Sequence, residues 1–217
     1  MSNLSPIRKG LFISFEGIDG AGKTTHVEAL VEAFRKAGRT VVQTREPGGT
    51  PLAEELRALV LHRDMDPVAE ALLVFAARRN HVLEVIGPAL ARGDVVISDR
   101  FADASFAYQG GGRGVDWAFL QRLEAEVVRF PGQPDAQPDL TLWFDLPSAM
   151  AAQRLAGTRA PDRFEAETSA FFDRVAQAYR RRAQECAVRF VRIDATRAPH
   201  DVWEQVHAGL RARGWLA

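Results

Sequence analysis

The chain has 217 residues, 47% of them hydrophobic and 26% charged, with 28 basic side chains against 28 acidic ones. That is enough apolar material for one well-buried core, and a formal charge of zero excludes the diffuse phosphate attraction of a nucleic-acid coat protein or a membrane-surface binder, so any anion site is local. The single cysteine, Cys186, makes neither an internal bridge nor a cysteine zinc site, which fits a reducing compartment.

In chain order, an apolar, β-branched run at 11–15 is predicted as a strand. The segment 1–10 before it lacks the apolar stretch of a leader, and no apolar run approaches the ~18 residues of a membrane span, so a cytoplasmic placement is expected. After the strand come Gly17, Ile18, Asp19, Gly20, Ala21, Gly22, Lys23 and Thr24, with Thr25 next: two glycines spaced by four residues, then Lys and Thr, the P-loop pattern. A helix is predicted directly after Lys23, because Val27, Leu30, Val31 and Phe34 recur at i, i+3, i+4 and i+7 and Gly38 follows as a stop. Further strands are predicted at 41–44, 95–98, 140–144 and 190–193, and further helices at 51–62, 67–91, 116–129, 148–156, 165–187 and 199–213. Two segments are predicted as mobile loops: 109–114, mostly glycine, and 157–163, which mixes Gly, Pro and charged residues. The alternation predicts one domain over 1–217, a three-layer α/β/α sandwich on a five-stranded parallel sheet of the P-loop NTPase type.

The P-loop residue types follow from what triphosphate binding requires. Glycines let backbone N–H groups close around phosphates, and the following helix N-terminus adds partial positive charge. Lys23 is expected to reach the β and γ phosphates of ATP, and the Thr24 hydroxyl to ligate Mg²⁺, with Thr25 adding a contact. No Asn-Lys-x-Asp guanine signature is present, and the strand at 95–98 ends in Asp99-Arg100 rather than in an acidic pair, which argues against a GTPase or a motor. Asp99 is expected to support magnesium through water, and Arg100 faces the crevice where open α/β sheets bind ligands. Asp19 lies inside the cradle, where a carboxylate repels phosphate unless it binds metal or a sugar hydroxyl. Glu16, at the strand end, fits a structural hydrogen bond as well as a role in the site.

Thr44-Arg45-Glu46-Pro47-Gly48-Gly49-Thr50, Asp99-Arg100-Phe101 and the stretch from Ala107 and Tyr108 through Gln109 to Gly114, in this order after the P-loop, resemble the thymidylate kinase family. The likeness continues through Asp162-Arg163-Phe164-Glu165 and Ile193-Asp194-Ala195. It implies transfer of the γ-phosphoryl group of ATP to dTMP, giving dTDP and ADP, with no nucleic-acid or membrane partner, in a homodimer. An acceptor phosphate is already an anionic nucleophile, its second pKa being near ~6, so the reaction needs no general base. It needs positioning and positive charge.

The resemblance also assigns residues. It implies Asp19 on the acceptor's deoxyribose, Arg100 on the acceptor phosphate, Arg45 and Pro47 along the acceptor side, Ser105 on the base, Tyr108 beside the sugar with Gln109 next to it, and Asp194 and Ala195 near the adenine. The family places a base-stacking Phe four residues before a base-reading Arg. Counting back from Pro88 makes Arg78 that arginine and puts Val74 at the aromatic position, whereas Phe75 stands four residues before Arg79, so Phe75 is the stacking candidate with its register open. Gly20 stands where some family members carry a catalytic arginine. A lid near 154–165 is therefore expected to supply the charge, through Arg159 and Arg163 with Arg154 assisting. The alternatives are a deoxynucleoside kinase, which needs a carboxylate base for an uncharged hydroxyl, and an ATP-sensing module.

Overall fold

Five strands form, and each runs one residue past its predicted end: β1 (Leu11–Glu16), β2 (Val41–Arg45), β3 (Val95–Asp99), β4 (Leu140–Asp145) and β5 (Phe190–Asp194). The added residue is charged in every case, so the apolar runs stop where the strands leave their helical cover and present charge at their carboxyl ends. This is a computed structural model, and it describes residues 10–130, 135–155, 163–164 and 166–216. The strands are all parallel in the order β2-β3-β1-β4-β5, with Phe15 of β1 level with Asp99 of β3 and Asp145 of β4 level with Asp194 of β5. The chain leaves β1 toward β2 on one side and reaches β4 on the other, so a crevice opens beyond the ends of the central strands.

Nine α-helices cover the sheet among the described residues: α1 (Lys23–Lys36), α2 (Pro51–His62), α3 (Pro67–His81), α4 (Gly87–Arg92), α5 (Ala102–Ser105), α6 (Trp117–Val127), α7 (Ser148–Leu155), α8 (Ser169–Glu185) and α9 (Pro199–Arg211). Their starts carry the expected caps: Thr50, Asp66, Asp116 and Thr168 each accept a backbone N–H of the first turn. The period-2 alternation of β1 divides the core. Leu11, Ile13 and Phe15 pack with Leu30 and Phe34 of α1, Val175 of α8 and Val206 of α9, while Phe12 packs on the other face with Phe75, Ile86 and Leu120. Among the described residues no helix is long and apolar enough to cross a membrane.

Two expectations are corrected. The helix predicted over 67–91 is interrupted by a π-helical turn, Val82–Ile86, between α3 and α4. Pro88 has no N–H to donate to the preceding turn, and the wider turn absorbs the defect just before it. The glycine-rich stretch predicted as a mobile loop is instead a buried π-helical segment, Phe106–Gly112, that continues α5 and lies under α8. Its glycines serve close approach: a Cβ on Gly111 would stand 2.5 Å from the Cβ of Ala178, and one on Gly112 would stand 2.4 Å from the Phe171 ring. The predicted mobile segment 157–163 lies outside the described residues except for Arg163.

Candidate active site

The loop between β1 and α1 is shaped by backbone requirements. Gly17, Gly20 and Gly22 all have positive φ, and Gly22 caps α1, whose first turn carries no acidic side chain. Gly17 also passes so close to β4 that a Cβ there would stand 2.5 Å from the Phe144 carbonyl oxygen. Ile18 and Ala21 are buried beneath the loop, and Thr24 and Thr25 are exposed at its mouth. Lys23 folds over the loop and donates to the carbonyls of Gly17 and Ile18, both at 3.2 Å. Burial, with help from the nearby Arg100 charge, lowers the pKa of its ammonium.

Arg100 is the hub. It has φ 71, uncommon for a residue with a Cβ, and its N–H donates to Phe15 at the end of β1. Nη1 donates to the Gly17 carbonyl at 2.7 Å and the Tyr179 hydroxyl at 3.2 Å; Nη2 donates to Asp19 at 2.8 Å and the Tyr108 hydroxyl at 3.2 Å. Burial opposes ionisation of Asp19, but Arg100 and then Lys23 outweigh it and hold the carboxyl down at about 2. Burial raises both phenols, which stay neutral: Tyr108 donates onward to Asp19, and Tyr179 to Glu16 at 2.8 Å. Glu16 also accepts the Phe101 N–H at 2.8 Å, and its carboxyl is pushed up to about 8 by burial and the Asp103 charge.

Beside this hub lies a cavity of about 120 Å³ whose walls include Asp19, Pro47, Arg78, Arg100, Ser105 and Tyr108. Gln109 also lines it and donates to Glu70 at 2.9 Å. On α3 it is Val74 that faces the cavity. Phe75 sits in the core behind it, its ring 4.6 Å from the Arg78 guanidinium carbon. Arg78 donates through Nε to Glu46 at 2.7 Å and through Nη2 to Ser105 at 2.9 Å and the Phe101 carbonyl at 3.1 Å. Its Nη1 is buried with no partner.

Arg45 lies outside this cavity, paired with Glu54 at 2.8 Å, and lines a neighbouring cleft that also holds Thr24 and Asp99. Asp99 Oδ1 is buried there without a hydrogen-bond donor, a defect that a hydrated cation would satisfy. Arg154 spans from the Gly20 carbonyl of the P-loop, at 3.5 Å, to that of Ala195 beyond β5, at 3.0 Å. Asp194 spends its carboxylate on Thr196 and Arg197, and the Ala195 N–H donates to the Asp145 carbonyl at 3.1 Å.

Arg163 does not point toward the phosphate cradle. The fully buried carboxylate of Glu70 on α3 takes its Nη1 at 2.6 Å, with the Val60 carbonyl at 3.3 Å, and its neighbour Phe164 lines the cavity wall. Arg159 lies outside the described residues. The sequence reading assigned nothing to Glu46, His81, Glu70 or Tyr179, which orient the residues it did assign. The available signal was a requirement: a buried arginine such as Arg78 must have a carboxylate partner.

Comparison with known proteins agrees with this geometry. A family model for thymidylate kinase matches residues 15–206. The chain is 59% identical over 211 residues to a thymidylate kinase of Albidiferax ferrireducens, covering 96% of this chain and 98% of that one. It is 60% identical over 194 residues to one of Cupriavidus metallidurans, covering 89% and 94%. Among solved structures, a thymidylate kinase from Ehrlichia chaffeensis aligns with a TM-score of 0.75 at 32% identity, over 93% of this chain and 99% of that chain. A P-loop beside an arginine hub and a neighbouring cavity, together with likeness over nearly the whole length, places the chain in the thymidylate kinase family.

Proposed function

We propose that the chain transfers the γ-phosphoryl group of ATP to dTMP, giving dTDP and ADP. The observation that carries this over a nucleoside kinase is the state of the acids in the acceptor cavity. The carboxylates lining it are Asp19 and Glu46, each paired with an arginine and each held ionised below the usual carboxylate range. Neither is poised to take a proton from a neutral hydroxyl, and a phosphate acceptor requires no such base.

ATP occupies the P-loop side, with its phosphates on the backbone N–H groups and Lys23, and its adenine end near Ala195 and Arg154. The acceptor phosphate meets Arg100, the sugar lies by Asp19 and Tyr108, and the base lies between Pro47, Val74, Arg78 and Ser105. Thr24 and Asp99 would hold Mg²⁺, which supplies charge neutralisation between the two polyanions when bound. Lys23 and Arg100 contribute protein charge at the junction of the two sites, and Arg154 contributes from α7. Arg163, anchored on Glu70, closes the acceptor side. The test is ADP formation with purified protein, ATP and magnesium: turnover with dTMP and none with thymidine is expected, and the reverse would establish the nucleoside kinase.

A homodimer is part of the same reading. Leu52 and Leu59 of α2 and Val68 and Leu72 of α3 are all more than 40% exposed, on two helices that pack together. Such apolar side chains suit a second copy of the chain. Light scattering reporting a monomer at micromolar concentration would remove this part.

A further inference from the structure

The partners of Arg78 point beyond a contact with substrate. Arg78 is 1% exposed, and three of its five N–H donors lie on two nitrogens that the protein already engages. Nε is taken by Glu46, and Nη2 by Ser105 and the Phe101 carbonyl, while the ring of Phe75 lies against the guanidinium from the core side. What remains is Nη1, buried, unpartnered, and on a side chain that lines the acceptor cavity. The orientation of this fork rests on Glu46, since Ser105 and a carbonyl offer acceptors but no countercharge.

Glu46 is fixed in turn. Its second oxygen accepts from His81 Nδ1 at 2.9 Å, with both residues buried, and His81 Nε2 meets the half-buried Thr44 hydroxyl at 2.7 Å. A carboxylate at Nδ1 only accepts, so His81 donates to Glu46 through Nδ1. Gly49 seals the arrangement: it has φ +88, and a Cβ there would stand 2.6 Å from His81 Nε2 and 2.7 Å from Thr44 Oγ1.

We infer that Glu46, oriented by His81, is a positioning residue that sets base selectivity by fixing Arg78 so that a donor, and only a donor, faces the base edge. The inference rests on the acceptor reading above. Arginine has no acceptor atom, so a base with a carbonyl at that edge gains a charge-assisted hydrogen bond, and one with an amino group there opposes two donors in a buried site. If Arg78 were free to swing away, an amino base would be tolerated.

The test compares kcat/KM for dTMP and for 5-methyl-dCMP, which carries an amino group where dTMP carries the carbonyl, in wild type, Glu46→Gln, His81→Asn and His81→Phe. Calorimetric binding of dTMP is measured alongside. Asparagine keeps a donor in the place of Nδ1; phenylalanine removes it. Glu46→Gln is expected to cut the preference for dTMP about tenfold or more, through a raised KM and weakened binding with kcat changed less than about threefold. His81→Phe should follow it and His81→Asn should stay near wild type. A preference within about twofold of wild type in folded Glu46→Gln, losses confined to kcat, or equal behaviour of the two His81 variants would overturn the inference. If Glu46→Gln does not fold, the two His81 variants decide alone. A wild-type protein that makes no ADP with dTMP would instead sink the acceptor reading itself.

Discussion

The Arg100 hub makes a demand that charge alone does not meet, and Arg100→Lys isolates it. Two guanidinium nitrogens serve four acceptors at 2.7 to 3.2 Å: the Gly17 carbonyl, Asp19, Tyr108 and Tyr179. Lysine keeps the charge but concentrates it on one nitrogen, with at most three donors that cannot span the P-loop and both phenols. At least two hydrogen bonds of a charged group are lost, which at about 1.5–3 kcal/mol each, less what water returns, costs about 2–4 kcal/mol of stability. Displacement of charge from the acceptor phosphate should cost about 10²-fold in kcat/KM for dTMP, or about 2.7 kcal/mol. Urea unfolding measures the first quantity, and coupled ADP detection with varied dTMP at saturating ATP the second. Arg100→Met, which also takes from Asp19 the larger of its two countercharges, should lose more in both. If Arg100→Lys kept kcat/KM within about threefold while Arg100→Met lost it, point charge would be sufficient and the argument from the fork would be wrong.

Lys23→Ala should lower kcat about 10³-fold or more while leaving urea stability unchanged or raised, because it deletes a buried ammonium whose pKa burial already lowers; loss of folding would contradict this. Gly111→Ala should destabilise by about 1–3 kcal/mol or more, since its Cβ would stand 2.5 Å from Ala178 and 2.7 Å from the Arg174 carbonyl, and an unchanged melting temperature would mean that α8 yields easily. Acid unfolding should carry the mark of Asp19. Its carboxyl titrates at about 2 in the fold, below its unfolded value, so the unfolded state binds the proton first and stability falls as pH drops from near 4 toward 2. The same profile for Asp19→Asn should be flatter over that window, and superimposable profiles would refute the pairing with Arg100.

The fold was legible because its signals are local. Val27, Leu30, Val31 and Phe34 mark one face of α1 without reference to any other segment, and the apolar runs locate every strand to within a residue. What the apolar criterion missed was informative: Glu16, Arg45, Asp99, Asp145 and Asp194 each end a strand and line up along the carboxyl edge. The glycine run at 110–112 was not legible, because glycine permits both freedom and contact. Only Phe171, Arg174 and Ala178, from a helix far along the chain, decide that here it means contact.

The site divides along the same line. Residues proposed to meet phosphate carry their chemistry in their own type and neighbours, so Lys23, Thr24, Asp99 and Arg100 stand out in sequence, and the structure puts them around the P-loop and the adjoining cleft. Residues that hold those groups in place carry no such mark. Glu46, His81 and Glu70 are ordinary polar residues until folding buries them, and burial then makes a partner obligatory. The register of α3 shows the consequence. Local spacing left Val74 and Phe75 open, and the choice is made by Arg78, whose pairing with Glu46 and Ser105 turns the helix so that Val74 meets the cavity and Phe75 backs the guanidinium. A buried arginine read in a sequence is therefore a constraint on residues elsewhere: the carboxylate that neutralises it must exist, and finding it fixes which face of the helix the substrate sees.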